Sequence, residues 1–285
     1  MFELKYQGTF DAAIFLKYGI PESAEDYYEV DNTIFCVADG VTRDPIDGVL
    51  IPFPNTKEEV EYLCSKYPNP SGALEASKIC AKEFIKEVKK IENISKETIL
   101  EAAKKANQAI WEINKNRKID YVVEDLYCCE AVGGIICEDK LYCFSIGDCH
   151  ITALDENLNV VFTTINNHLE WDIYEREVLK KQDPEKYDWK KPEYRALVRS
   201  HYRNHIGQIY EGKEISYGAF TGEKLAEDYI DVYEVDLKNV KYICAYSDGC
   251  EPNFETKEER KKLIDNPDGM KEKGAEKTLV IYEKK

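Results

Sequence analysis

The sequence predicts an α+β fold built from packed layers, in which the sheets are largely antiparallel. Apolar strand-like runs come early in the chain, two amphipathic helices follow, and strands then resume as far as the C-terminus. Short turns such as "CEDK" and "LDENL" separate neighbouring strands, which is typical of antiparallel hairpins. A doubly wound parallel sheet would require strict alternation of strands and helices, and the sequence lacks that alternation.

Two helices are predicted in the first half of the chain. In "GALEASKICAKEFIKEVKK", residues 72–90, apolar side chains recur at helical spacing between Lys and Glu residues. The stretch "SKETILEAAKKANQAIWEINKN" shows the same pattern, and Ser95 and Thr98 are its candidate caps. Because only a few residues separate the two helices, we expect them to form an antiparallel pair.

Strands are predicted on both sides of this helix pair. "TIFCVADG" precedes it, and "AVGGIIC", "KLYCFSIGD", "HITALDENLNVVFTTI", "DYIDVYEVDL", "KYICAYSDG" and "KTLVIYEK" follow. Residues 166–210 are charged and aromatic, and we expect them to be partly helical and to lie on the surface. Since neither a Pro- or Gly-rich linker nor a repeat divides the sequence, residues 1–285 are predicted to form a single domain.

The composition limits the classes of partner. Of the 285 residues, 43% are hydrophobic and 33% charged, which is typical of a globular protein with a sizeable core. The formal net charge of -16 argues against nucleic-acid binding, because phosphate backbones require a basic surface. The sequence has no apolar run of membrane-spanning length and no signal sequence at its start. We therefore expect a cytoplasmic protein with neither a membrane nor a nucleic acid as partner.

The ten cysteines are predicted to be reduced and mostly structural. Cys36, Cys137, Cys143 and Cys244 lie in apolar strand-like runs, where cysteine behaves as a small hydrophobic residue. The sequence contains neither a pair of Cys-x-x-Cys knuckles nor a histidine at zinc-finger spacing. Such usage is typical of a reducing compartment.

Three apolar strands each end in an aspartate with a glycine beside it. These pairs are Asp39–Gly40, Gly147–Asp148 and Asp248–Gly249. One such pair would indicate a turn, but three from separate segments would gather carboxylates if the strands lie side by side. Glu25–Asp26, shortly before the first of these strands, adds further acidic groups. Hard divalent cations bind carboxylate oxygens, and two such ions can activate water and hold a phosphoryl group.

In their order, these motifs resemble those of the metal-dependent Ser/Thr phosphatases of the protein phosphatase 2C (PPM) family. The acidic pair, "VADG", two helices, a strand pair ending in "IGD", a variable middle, "YSDG" and the final "KTLVIY" cover almost the whole chain. The resemblance implies a four-layer α-β-β-α sandwich, in which two mainly antiparallel sheets are flanked by antiparallel helix pairs. It also implies a binuclear Mn²⁺ or Mg²⁺ site at one edge of the sheets.

The resemblance also implies roles for individual residues. Asp39 would bridge the two metal ions, the Gly40 carbonyl oxygen would bind one of them, and Asp248 would bind the other. Asp26 and Glu25 would hold metal-bound waters. On this basis Asp39, Asp248 and Asp26 are the predicted catalytic residues, and metal-bound hydroxide is the implied nucleophile.

A third, weaker metal position near Asp148 is also implied, but the last metal ligand of the family is replaced here. The family has an aspartate three residues before the threonine of the final strand, and Ala275 occupies that position. Its neighbour Glu276 is the candidate metal ligand in its place. The sequence leaves three alternatives open: Glu276 reaches a metal, one metal site is weak or lost, or Glu276 is a surface residue.

The residue that binds the substrate phosphate also differs from the family pattern. The resemblance places an arginine at the position of Pro21. Arg43, four residues after Asp39, is the predicted substrate-binding residue, because its guanidinium group could bind phosphate through two hydrogen bonds. The alternative is that Arg43 pairs only with a nearby aspartate.

His150 is interpreted as a packed or surface residue, and His168, His201 and His205 lie in the middle segment. His201 and His205 have helical spacing and could bind a metal ion, but the sequence offers no third ligand, so a structural role is preferred. The "CCEAV" stretch replaces a small Gly/Thr-rich turn of the family, and the sequence offers no physical reason for this change. The resemblance, together with the carboxylates at the strand ends, implies a phosphate monoester hydrolase that acts on phosphoserine or phosphothreonine in a protein substrate. Two alternatives are a catalytically weak or inactive regulatory binding protein with the same fold, and a phosphatase of small metabolites.

Overall fold

The structure is a computed structural model that describes residues 1–18, 24–41, 54–272 and 275–285. The strands of these residues are β1 (Phe2–Phe10), β2 (Tyr27–Asp31), β3 (Ile34–Gly40), β4 (Cys129–Cys137), β5 (Lys140–Ile146), β6 (His150–Leu154), β7 (Val160–Thr163), β8 (Ile209–Tyr210), β9 (Lys213–Glu214), β10 (Asp231–Asp236), β11 (Tyr242–Tyr246) and β12 (Lys277–Lys284). The α-helices are α1 (Ala13–Tyr18), α2 (Lys57–Lys66), α3 (Gly72–Val88), α4 (Lys96–Asn114), α5 (Leu169–Tyr174), α6 (Lys180–Gln182), α7 (Pro192–His201) and α8 (Lys257–Asp265).

Ten of the described strands form two five-stranded antiparallel sheets. In the first sheet the strand order is β1–β12–β11–β6–β7, and in the second it is β10–β5–β4–β3–β2. The apolar core between the sheets follows from the period of two along each strand. On β3, Phe35 and Val37 belong to this core, whereas Cys36 and Ala38 belong to the core on the opposite face.

Helices cover the outer faces of both sheets. α3 and α4 pack together on the second sheet, where the ring centroids of Phe84 and Phe144 lie 4.8 Å apart. On the outer face of the first sheet, Leu263 of α8 packs in one apolar cluster with Leu279 of β12. The layers therefore follow the order helix, sheet, sheet, helix, and the α-β-β-α sandwich predicted from the sequence is confirmed.

The predicted elements agree with the structure, and several others had no clear sequence signal. α3 and α4 lie where helical periodicity placed them, and Ser95 caps α4 by accepting the N–H of Thr98. The middle segment is partly helical as expected, with α5, a π-helical turn at Glu175–Leu179, α6 and α7. α2 was not predicted; it begins at a capping box formed by Thr56 and Glu59. Among the described helices, none has the length and apolar character of a membrane span.

Candidate metal and phosphate site

The acidic residues predicted from the strand ends meet around one cavity of about 390 Å³ at an edge of the sandwich. Asp39 ends β3, Asp148 lies between β5 and β6, and Asp248 follows β11. Because β3 belongs to one sheet and β11 to the other, the site forms where strand ends of both sheets come together. The predicted residues that line the cavity are Glu25, Asp39, Gly40, Asp148, Asp248 and Glu276.

The first carboxylate cluster consists of Asp26, Asp39 and Glu276, which each offer an oxygen atom within 4.8 Å of the other two. Asp26 is only 3% exposed, and its Oδ2 accepts a hydrogen bond of 2.6 Å from Ser247. Glu276 Oε2 accepts the backbone N–H of Glu25 at 3.0 Å. Local hydrogen bonds therefore orient two of the three carboxylates towards Asp39.

The energetics of this cluster favour a bound cation. Burial raises the pKa of Asp26 to about 6, although the hydrogen bond from Ser247 opposes the rise. The pKa of Asp39 lies well above its usual range, first because of burial and then because of the negative charges around it. Among these charges Asp26 has the largest effect and Asp248 the next. The buried Oδ1 of Asp26 has no hydrogen-bond donor among the described residues. A hard divalent ion would satisfy this atom and offset the repulsion, so the donor set fits Mn²⁺ or Mg²⁺.

Gly40 lies where the segment around Glu25 approaches the end of β3, and only glycine leaves enough space there. A Cβ atom at Gly40 would lie 2.7 Å from both the Cβ and the carbonyl oxygen of Glu25. Any larger residue would therefore push the acidic segment before β2 away from the end of β3. This position explains the Asp-Gly pair physically, because the glycine allows Glu25 to approach the end of β3.

A second cluster, Glu130, Asp148 and His168, has ligand atoms within 4.8 Å of one another. Glu130 Oε2 accepts the N–H of Asp148 at 2.7 Å, and Glu130 Oε1 lies 2.7 Å from Nε2 of His168. Asp148 also forms a 4.8 Å group with Asp39 and Cys149, so the two clusters adjoin. Burial raises the pKa of Glu130 to about 7.

Glu130 and His168 were missed as site residues in the sequence analysis. Glu130 belongs to "CCEAV", and the antiparallel register of β3 and β4 places it directly opposite Asp39. Two like charges directly opposite each other destabilise a sheet, so such a pair indicates a functional site. The signal in the sequence was a glutamate within an apolar strand, where a charged residue is unusual. A Cβ at Gly147, whose φ is +80°, would overlap the Glu130 carboxylate, and this turn therefore also depends on glycine.

The remaining residues named from the sequence lie either outside the two clusters or outside the described residues. Arg43 and Pro21 lie outside the described residues. Ala275 is exposed and lines the cavity, while Glu276 carries the adjacent carboxylate. His150 is buried and bonded to Glu251 at 2.8 Å, and neither residue belongs to the two clusters. No candidate metal-ligand group among the described residues contains His201 or His205.

One prediction concerns the pH dependence of stability in metal-free protein. The pKa of Asp26 rises from 3.8 to about 6 on folding, so the folded state binds this proton more tightly and deprotonation opposes folding. The pKa of Asp125 shifts in the opposite direction on folding. The quantity to compare is therefore the difference in the free energy of unfolding between Asp26→Asn and wild type. Relative to wild type, Asp26→Asn should gain stability as the pH rises from about 4 to about 6, by up to about 3 kcal/mol.

The measurement is urea unfolding in chelator across this pH range. Asp236→Asn, which changes an exposed carboxylate, is the control and should parallel wild type. A constant difference between Asp26→Asn and wild type at all pH values would contradict the prediction.

Comparison with known proteins gives results at the level of structure only. No model of a known protein family matches the sequence, and no curated protein sequence matches it. The serine/threonine phosphatase Stp1 from Staphylococcus aureus matches with a TM-score of 0.62 at 11% identity, over 100% of this chain and 96% of that chain. The PPM Ser-Thr phosphatase MsPP from Mycobacterium smegmatis matches with a TM-score of 0.50 at 12% identity, over 98% and 97%.

A third match is the catalytic domain of the serine threonine protein phosphatase PstP, solved in complex with two manganese ions. Its TM-score is 0.54 at 12% identity, over 99% of each chain. The sheets, the flanking helices and these matches define the class of architecture as that of the PPM-type Ser/Thr phosphatases. This chain has the protein phosphatase 2C fold over essentially its whole length, as its motifs predicted.

Proposed function

We propose that this protein is a metal-dependent phosphate monoester hydrolase, and that its substrate is phosphoserine or phosphothreonine in a protein. The observation that carries the proposal is the pair of adjoining carboxylate clusters around one cavity in a protein phosphatase 2C fold. The manganese ions in the PstP structure support Mn²⁺ or Mg²⁺ as the cofactor. Eight of the ten cysteines are buried, as expected of structural thiols in a reducing compartment, and we propose the cytoplasm.

The proposed roles follow from the contacts of each residue. Asp39, which belongs to two neighbouring groups, would hold the ions together with the Gly40 carbonyl, Asp248 and Glu276. Bound ions would supply Lewis acidity to the phosphoryl oxygens and lower the pKa of water. Ser247 orients Asp26 through its hydrogen bond.

Glu25 has two proposed functions at the site. Its carboxylate would hold metal-associated water, as the family resemblance implies, and its backbone N–H orients Glu276. Asp148 would contribute to a third cation position, where Glu130 fixes its backbone by accepting the Asp148 N–H. These side chains are held before substrate binds, which limits the reorganisation required for catalysis.

The alternative of an inactive regulatory protein with this fold receives less support. Ala275 and Pro21 motivated it, because they replace an expected carboxylate and an expected arginine. Glu276 lies close enough to Asp26 and Asp39 to replace that carboxylate. We therefore favour an active enzyme.

The experiment is hydrolysis of para-nitrophenyl phosphate by purified protein with Mn²⁺, with Mg²⁺ and with chelator. We expect turnover with a divalent ion and none in chelator, because the clustered carboxylates carry out the reaction only with bound cations. Phosphoserine and phosphothreonine peptides compared with phosphorylated metabolites then test the substrate class. No turnover by folded protein with either ion would refute the proposed activity and favour a binding protein.

A further inference from the structure

Part of the cavity wall comes from the middle segment, residues 166–210, and from Tyr217 shortly after it. Trp171, Trp189, Arg199 and Tyr217 line the cavity together with acidic residues. The ring centroids of Trp171 and Tyr217 lie 6.1 Å apart in a packed aromatic cluster. The wall is therefore a packed part of the fold, and the polar groups that it carries are held in place.

Arg199 is held in this wall by a buried ionic cluster. Its Nε donates to Asp125 Oδ2 at 2.9 Å, and the two side chains are 3% and 2% exposed. Arg203 binds both oxygens of the same carboxylate, at 2.9 and 2.6 Å. Burial alone would raise the pKa of Asp125, but the two guanidinium groups outweigh it and lower the pKa. Asp125 is therefore an anion, and it fixes the orientation of the Arg199 guanidinium group.

Arg199 and Tyr217 both line the cavity. Burial raises the pKa of Tyr217, and the positive charge of Arg199 opposes that rise. The Tyr217 ring lies 4.0 Å from the His168 ring, measured between centroids. His168 in turn contacts Glu130, which accepts the N–H of Asp148. The guanidinium group and the clusters therefore belong to one continuous wall.

The cavity is lined by many acidic residues, so an anionic substrate would need a cation such as Arg199 there. Eight carboxylate residues are among those that line it, whereas Arg199 is the sole arginine or lysine in the part of the lining that the structure describes. A phosphate dianion would be repelled by such a surface unless cations offset it. Metal ions would do so at the clusters, and Arg199 supplies a fixed positive charge and a hydrogen-bonding fork elsewhere on the wall.

We propose that Arg199 binds the phosphoryl group of the substrate. This inference rests on the proposed phosphatase function and identifies a substrate-binding residue in the middle segment. The substrate would contact the cations through some phosphoryl oxygens and Arg199 through others. Asp125 would act as a positioning residue, because it orients the guanidinium group without contacting the substrate.

The test measures binding of inorganic phosphate to Mn²⁺-loaded protein by calorimetry, together with kcat and KM for para-nitrophenyl phosphate. Arg199→Gln should raise the phosphate Kd and the KM roughly tenfold, with a smaller change in kcat, because a charge-assisted hydrogen bond is lost. Arg199→Lys should give an intermediate increase, since it keeps the charge but loses the fork.

Two controls separate binding from a structural role. Arg203→Lys disturbs the same ionic cluster but leaves the Arg199 guanidinium group in place, so it should lower the melting temperature and raise the phosphate Kd much less than Arg199→Gln does. Arg176→Gln changes an arginine of the same segment whose side chain is 65% exposed, and it should change neither quantity.

The outcomes distinguish this inference from the proposed function. An unchanged phosphate Kd in folded Arg199→Gln, or an equal increase in Arg203→Lys, would overturn the role of Arg199. Wild-type protein that binds phosphate but hydrolyses no monoester would refute the proposed function, and the Kd comparison would still decide the role of Arg199.

Discussion

Replacement of Asp39 by asparagine is expected to lower kcat/KM for para-nitrophenyl phosphate roughly a thousandfold. Asp39 offers oxygen atoms close to Asp26 and Glu276 on one side and to Asp148 on the other. Asparagine retains the shape of the side chain but removes the charge that would attract cations to this site. The measurement is steady-state hydrolysis with Mn²⁺, supported by calorimetric titration of Mn²⁺, which should show weaker binding.

The same variant should be more stable than wild type when metal is absent. The pKa of Asp39 is raised by burial and by four neighbouring carboxylates, so its ionised form opposes folding at neutral pH. A higher melting temperature in chelator together with a smaller increase on Mn²⁺ addition would identify Asp39 as a ligand. Asp236→Asn, on an exposed part of β10, is the control. Unchanged hydrolysis in Asp39→Asn would instead indicate a contaminating phosphatase.

Glu276→Gln should weaken Mn²⁺ binding and lower kcat/KM, each by roughly tenfold to a hundredfold. Glu276 would replace the carboxylate missing at Ala275, and the N–H of Glu25 orients it. Glutamine can still accept that hydrogen bond but brings no charge to the cation. The measurements are Mn²⁺ calorimetry and hydrolysis of para-nitrophenyl phosphate.

Two further variants make this test specific. Glu283→Gln changes a glutamate on the adjoining strand β12 that pairs with Lys5 and Lys241, and we expect normal metal binding. Ala275→Asp added to Glu276→Gln should restore part of the affinity, because Ala275 also lines the cavity. Normal Mn²⁺ binding in Glu276→Gln would mean that Glu276 is only a surface residue, which was one of the alternatives from the sequence.

Much of the fold could be predicted because its signals are local. Apolar runs predicted β3, β4, β5 and β11, and helical periodicity predicted α3 and α4. These patterns depend on which face of each element is buried, and a stretch of neighbouring residues already contains that information. α2 was missed because its polar sequence has only two buried residues, Val60 and Leu63.

The site could be predicted only in part, because its residues come from distant segments. The aspartates at three strand ends formed a repeated pattern, and the structure brings all three to one cavity. Glu130 had no such pattern, since it entered the site through the register of β3 and β4. Arg199 lies in a helix whose periodicity indicates only burial, and a guanidinium group in a core is unexpected unless a partner such as Asp125 is known.

The sequence by itself determined the layered class of the fold, the order of its main elements and the carboxylates at the strand ends. Only the tertiary structure decided that Glu276 lies beside Asp26 and Asp39, and that Arg199 shares their cavity. The physical reason is the range of the interactions. Secondary structure follows from hydrophobic periodicity over neighbouring residues, whereas the cavity depends on strand register, sheet packing and a buried ion pair between residues far apart in the chain.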